Sequence, residues 1–132
     1  ALFEPSPETP LRDRLLEIAE AFFAMVSSPE AVAGHRIMCS PQVTGSPLSE
    51  IFWKAGPERT KNVFAKLLQD RIDAGQLDIP DVPIAAAQFF TLIKGEALAR
   101  MVFGYCAQTG AVDEHLAACV DMFLRAYGVR RA

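Results

Sequence analysis

Among the residues able to do chemistry, His35 and Cys39 stand first, because they are four apart in a stretch that reads as helix. An i, i+4 imidazole and thiolate can chelate one ion, and the same pair can imitate a Cys-His nucleophile. Both readings stop there. His115 sits in a different segment, no Cys or His has a partner at finger spacing, and no third group orients the imidazole. Glu17 and Glu20 are three apart but face water, and no Glu-x-x-His pattern accompanies them. The chain has no G-x-S-x-G, no Gly-rich phosphate loop and no H-E-x-x-H. The expectation is a protein that is not an enzyme, with no metal site and no cofactor.

Binding chemistry is better supplied. Ligand sites in helical domains are mostly apolar, with a few polar groups that fix orientation. Phe22 and Phe23, His35, Met38 and Cys39, Phe52 and Trp53, and Phe90 with Lys94 are the candidate wall. Lys94 falls on the same helix side as Phe90 and Met101, where an ammonium can hold a carboxylate or phenolate or snorkel to water. The competing reading is that aromatics at helical spacing simply pack a core and that His35 is a satisfied histidine.

Composition narrows the class. The 132 residues carry a net charge of −3, and no Lys/Arg-rich run appears, so affinity for phosphate backbones should not reside here. Lys54, Arg59, Lys61 and Lys66 are interleaved with Glu58 and Asn62 and read as a solvated helix face. Cys39, Cys106 and Cys119 are odd in number and widely spaced, which favours a reducing compartment. The opening lacks the positive and apolar regions of a signal peptide, and no run approaches about 18 consecutive apolar residues. A cytoplasmic chain without a membrane span is expected. The hydrophobic share of 51% is high for a soluble chain and favours an oligomer or a lined cavity.

The elements that position these residues are helices throughout. Thr9-Pro10 reads as an N-cap and first-turn proline for a helix over 10–27, with Leu11, Leu15, Ile18, Ala19, Phe22 and Val26 inward. Ser28-Pro29-Glu30 opens a short helix that Pro41 stops. Ser46-Pro47 starts the next, with Ser49 and Glu50 placed to serve its first-turn amides, and Gly56-Pro57 breaks or kinks it. A helix resumes to Ala74 with Val63, Phe64, Leu67, Leu68 and Ile72 inward, and Gly75 ends it. Asp81 can cap a helix beginning near Pro83. No alternating strand pattern appears. The fold class is all-α, with five or six helices.

The last two helices organise the rest. From Ile84 to Tyr105 the only breaker inside the run is Gly95, with Gly104 at its end, and apolar residues cover nearly the whole circumference; such a helix is usually buried between two neighbours. Val112 to Tyr127 has a wide apolar arc. With the Cys106 to Ala111 turn they form a hairpin packing inward on its own domain and outward on a second copy. Ala86, Ala97 and Gly104 are small and share a side with Phe89 and Ile93, which permits close helix approach. Arg100 can pair with Glu96 within the helix or across a two-fold axis. These residues, with Ala118 and Met122, are the expected dimer interface. The alternative is that the small residues pack internally and the ion pair is solvated.

The order of pieces is also informative: Ser-Pro-Glu-Ala (28–31) leading to His-Arg-Ile-Met (35–38), then Trp-Lys-Ala-Gly-Pro-Glu-Arg (53–59), Ala-Ala-Ala-Gln-Phe-Phe (85–90) and a closing Phe-Leu-Arg-Ala-Tyr-Gly (123–128). Over about Leu11 to Gly128 this resembles the C-terminal effector domain of a TetR-family transcriptional regulator of the AefR-like type. The resemblance implies a homodimeric sensor whose last two helices form an intersubunit four-helix bundle. It also implies a small apolar or amphipathic effector that releases operator DNA held by an N-terminal helix-turn-helix domain. That domain is absent from these residues. Residues 1–9 then read as an irregular lead-in from it and 10–132 as the ligand-binding and dimerisation domain, the chain being a fragment or lacking residues at the junction. A stand-alone helical module that binds a partner protein, with no small-molecule role, is the reading from a different class. An upstream helix-turn-helix coding sequence separates the two.

Overall fold

The structure, a computed structural model, describes residues 8–105 and 110–129. Residues 1–7 of the expected 1–9 lead-in and most of the Cys106 to Ala111 turn lie outside the described residues. Six α-helices run in chain order: α1 (Leu11–Val26), α2 (Pro29–Met38), α3 (Pro47–Trp53), α4 (Arg59–Asp73), α5 (Val82–Val102) and α6 (Gly110–Tyr127). Among the described residues the only β pairing is one isolated antiparallel bridge, Leu77 to Gly128.

Local chemistry sets most helix ends. The Ser28 hydroxyl accepts from the Ala31 amide at 3.1 Å and the Asp81 carboxylate from the Ile84 amide at 3.0 Å, each followed by a proline in the first turn. α4 and α5 stop at glycines with φ of 77° and 79°, Gly75 and Gly104. Behind each, the amide two residues past the cap reaches back: Gln76 to Arg71 O at 2.9 Å and Tyr105 to Arg100 O at 2.8 Å.

Three expectations about ends are corrected. α1 begins at Leu11, and Pro10 (ψ 142°) itself stands at the cap, its carbonyl accepting from Arg14 N. Ser46 makes no side-chain cap, while Ser49 donates to Val43 O at 2.9 Å and Glu50 pairs with Lys54 at 2.8 Å. At Gly56-Pro57 the chain does not break. Lys54–Glu58 forms a turn of π-helix that joins α3 to α4. Proline has no N–H to give to the ladder, and a wider turn accommodates that loss.

The core lies among α1, α4, α5 and α6. Leu15, Ile18, Ala19, Phe64, Leu68, Ala85, Ala86, Ile93 and Val120 are fully buried. Aromatic rings link the four helices: Phe22 meets Phe90 at 4.4 Å between centroids, Phe64 stacks on Phe89 at 4.6 Å, and Phe123 meets Phe89 edge-on at 5.2 Å. Of the expected inward residues of α4, Val63 is exposed. α2 packs on α5 and the end of α1, whereas α3 runs directly into the π-helical turn and makes no extensive contact with another helix. Leu48, Ile51, Phe52 and Trp53 of α3 are therefore exposed. Two lashes hold the ends. Buried Arg71 donates to Gln76 Oε1 at 2.9 Å and Thr9 O at 3.0 Å, and Asp78 N donates to Tyr127 O at 2.8 Å.

Candidate functional site

α5 is the one described helix long and apolar enough to cross a membrane by length and composition. Its packing gives another account of that apolarity. Ala85, Ala86, Phe89, Phe90, Ile93 and Leu98 are buried against α1, α4 and α6. The opposite side remains open: Ile84 is 53% exposed, and Ala87, Gln88 and Thr91 continue the row. On α6, Leu116, Cys119, Val120 and Phe123 point inward, while Ala118, Met122 (42% exposed), Arg125 and Ala126 face out beside that row. Between the two helices runs a groove of about 570 Å³, lined by Ile84, Ala87, Thr91, Leu92, Met122 and Ala126 among others. Near one end the Tyr127 hydroxyl donates to Gln88 Oε1.

Towards Gly95 the groove runs into a second cleft of about 440 Å³ that adds His115, Cys119 and Arg125 to the wall. Here α5 is kinked, Gly95 having φ 53° and ψ −164°, a conformation essentially confined to glycine. A Cβ on Gly95 would lie 2.6 Å from His115 Nε2. His115 fills the space that glycine leaves and sits 3.2 Å from Ile93 O. The Cys119 thiol donates to Leu92 O at 3.4 Å and lies 3.6–3.7 Å from both ring nitrogens of His115. Burial pushes the Cys119 thiol above its ordinary pKa, so it acts there as a neutral donor.

The expected site residues separate by burial. Phe22, Phe23 and Phe90 pack in the core. His35 and Cys39 are exposed, Met38 and Lys94 are partly so, and Phe52 and Trp53 are 48% and 57% exposed. The structure joins Phe22 to Phe90, and none of the nine lines either groove. Among the described residues no three His, Cys, Asp or Glu side chains gather where a metal could be held. Of the residues assigned to an intersubunit face, Ala86, Phe89 and Ile93 are 0–1% exposed and belong to the subunit's own core. Gly104 is the glycine that ends α5, so it is not a packing residue within the helix. Arg100 donates to Glu96 at 3.0 Å along its own helix and its guanidinium lies 5.6 Å from the Tyr105 ring centroid. Ala97 is half-buried, and Ala118 and Met122 are open. Sequence reasoning missed Ile84, Ala87, Thr91 and Ala126. Their i, i+3/i+4 spacing was the available signal, obscured because α5 is apolar on every side.

Comparison with known proteins places this architecture. A family model described as the AefR-like transcriptional repressor C-terminal domain matches residues 13–129. No curated protein matches the sequence. Three solved structures share the fold. A TetR-family transcriptional regulator from Mesorhizobium loti MAFF303099 superposes with a TM-score of 0.84 at 21% identity, over 97% of this chain and 63% of that one. The flavonoid-responsive regulator FrrA gives 0.84 at 26% identity, over 96% and 65%. A TetR-family regulator from Pseudomonas syringae pv. tomato str. DC3000 gives 0.72 at 21%, over 98% and 67%. The present chain thus spans roughly two thirds of the length of these relatives. With the family model covering nearly all of the described helices, the chain belongs to the AefR-like C-terminal domains of TetR-family transcriptional regulators.

Proposed function

We propose that this chain is the effector-sensing and homodimerising domain of a TetR-like repressor, two copies pairing through α5 and α6 in a four-helix bundle. The observation that carries the reading is the open apolar strip of Ile84, Ala87, Thr91, Leu92, Met122 and Ala126 around the groove. Contiguous apolar surface of this kind, rimmed by polar Gln88 and Arg125, marks an association site. Ala118 and Met122 stay in the proposed interface. The family consists of transcription regulators, not enzymes, so the output is occupancy of DNA by a helix-turn-helix domain on the rest of the protein.

The effector in this reading is a small apolar or amphipathic molecule. A relative at 26% identity is named flavonoid-responsive, so planar polyphenols are the first compounds to try. Met38, Phe52, Trp53 and Lys94 are reachable from solvent and are the retained contact candidates; Lys94 can pair with a phenolate. A ligand acts only through its different affinity for two arrangements of the helices. Trp53 is the single tryptophan, so its fluorescence reports on α3 directly. Titration with flavonoids should quench it saturably and raise Tm, while sedimentation should give a dimer at micromolar concentration. Monomer alone in the centrifuge, or no saturable response across a polyphenol series, overturns the corresponding half of the proposal.

A further inference from the structure

We infer that α5 is a two-state element hinged at Gly95, with His115 and Cys119 of α6 acting as the clamp that holds its bent form. In an unbroken helix the carbonyls of Leu92 and Ile93 accept from the amides of Glu96 and Ala97. In the bent form those same carbonyls are met by the Cys119 thiol at 3.4 Å and by His115 Nε2 at 3.2 Å. Because the non-helical φ/ψ of Gly95 lies between these carbonyls and those amides, the side-chain donors stand where backbone donors would in a straight helix. Only glycine lets the backbone visit both conformations, since φ 53° with ψ −164° is closed to other residues. The imidazole occupies the space a Cβ would need, 2.6 Å away, so straightening α5 and seating His115 are coupled events.

The segment beyond the hinge, Glu96–Val102, is tied at its far end to a different helix. Arg36 of α2 donates through Nε to Val102 O at 2.8 Å and through Nη2 to Met101 O at 2.9 Å. A guanidinium suits the carbonyl end of a helix, and this one arrives from outside α5. The bent form thus has a clamp at one end and a lever at the other. α2 turns Glu96–Val102 about Gly95, and the clamp lies in the cleft that continues the α5–α6 groove. The use of this hinge in signalling rests on the sensing role proposed above, but the hinge itself does not.

Backbone hydrogen exchange of the 132-residue chain, read at the Glu96 and Ala97 amides, tests it. His115→Ala removes one clamp donor and leaves the backbone free, so the bent-to-straight ratio should fall about fivefold and both amides should exchange more slowly. A side chain with only a packing role gives the opposite sign, because its loss loosens the helix. Faster or unchanged exchange at Glu96 and Ala97 in His115→Ala overturns the inference. Gly95→Ala should slow the same amides at least about fivefold, since alanine favours helix and forbids the bend; if that variant does not fold, His115→Ala alone decides. Arg36→Met cuts the lever and should slow them as well, and no response there overturns the part given to α2. Sedimentation of the same samples keeps the outcomes apart, because dimerisation can persist while the exchange prediction fails, and the reverse.

Discussion

Phe89 decides whether the buried side of α5 belongs to the subunit or to a pair of subunits. The ring is 1% exposed, stacks on Phe64 at 4.6 Å and meets Phe123 and Phe90 edge-on at 5.2 and 5.5 Å. Phe89→Ala empties that space between α4, α5 and α6. Truncation of a buried phenylalanine costs about 3–5 kcal/mol through lost transfer energy and the cavity left behind. Three ring partners, each worth about 0.5–1.5 kcal/mol beyond area, put this site towards the upper end, about 4–5 kcal/mol. A chain of this length holds about 7–20 kcal/mol in total, so the variant still folds. Urea denaturation at several protein concentrations measures the loss, and sedimentation equilibrium measures association separately. The expected result is a large fall in subunit stability with a much smaller change in the association constant. A cost below about 1 kcal/mol, or a loss found wholly in association, would refute the core placement of Phe89 and with it the choice of the Ile84–Met122 side as the open face.

Met122→Asp places one carboxylate per subunit in the proposed interface, two in the pair. Each unpaired buried charge costs several kcal/mol, so dimerisation should weaken by at least about a thousandfold while circular dichroism stays helical. Unchanged sedimentation would exclude Met122 from the interface. Asp81→Ala removes the acceptor for Ile84 N and should lower stability by about 0.5–2 kcal/mol, seen as a lower urea midpoint with the same slope. Arg12 donates to Asp121 through Nε at 2.8 Å and Nη2 at 3.4 Å, joining α1 to α6. Those hydrogen bonds, then the charges of Arg12 and Arg125, hold the Asp121 carboxyl below its usual pKa despite some desolvation. A lowered folded-state pKa gives stability that is present above the ordinary carboxylate value and is lost as pH falls through the lowered one. Asp121→Asn should therefore be less stable than the parent near neutral pH, with the difference closing in acid. A gap independent of pH would remove Asp121 from that role.

What could be read from residue order is what local chemistry controls. Ser28 and Asp81 cap as their types suggest, and Gly75 stops α4 because only a residue at ease with positive φ fits there. The amphipathic stripe of α1 buries Leu15, Ile18, Ala19 and Phe22 because one face is apolar and the other charged. α5 defeated the same reasoning. With apolar residues on every side, periodicity cannot say which face meets α4 and which stays open, and Ala86, Phe89 and Ile93, expected at the subunit interface, lie in the subunit's own core. The residues of the candidate wall are dispersed for a different reason. Phe22 and Phe90 are core, whereas Phe52 and Trp53 ride on α3, which no other helix covers extensively, and one-dimensional spacing does not report which helices lie together. Gly95 is itself a local signal of a break in α5, but His115, which takes the space beside it, is twenty positions away and leaves no local mark.

The wide turn at Lys54–Glu58 also sets how the chain tolerates change in length. A π-helical turn is an α-helix that has absorbed one surplus residue. Removing Pro57 there would let α3 and α4 merge into one regular rod and would rotate α3 by about 100°. Leu48, Ile51, Phe52 and Trp53 would swing to a new azimuth as a block, while Phe64 and Leu68 kept their seats. The extra residue thus works as a phase offset, fixing the direction in which the oily flank of α3 is displayed without altering the scaffold beneath it.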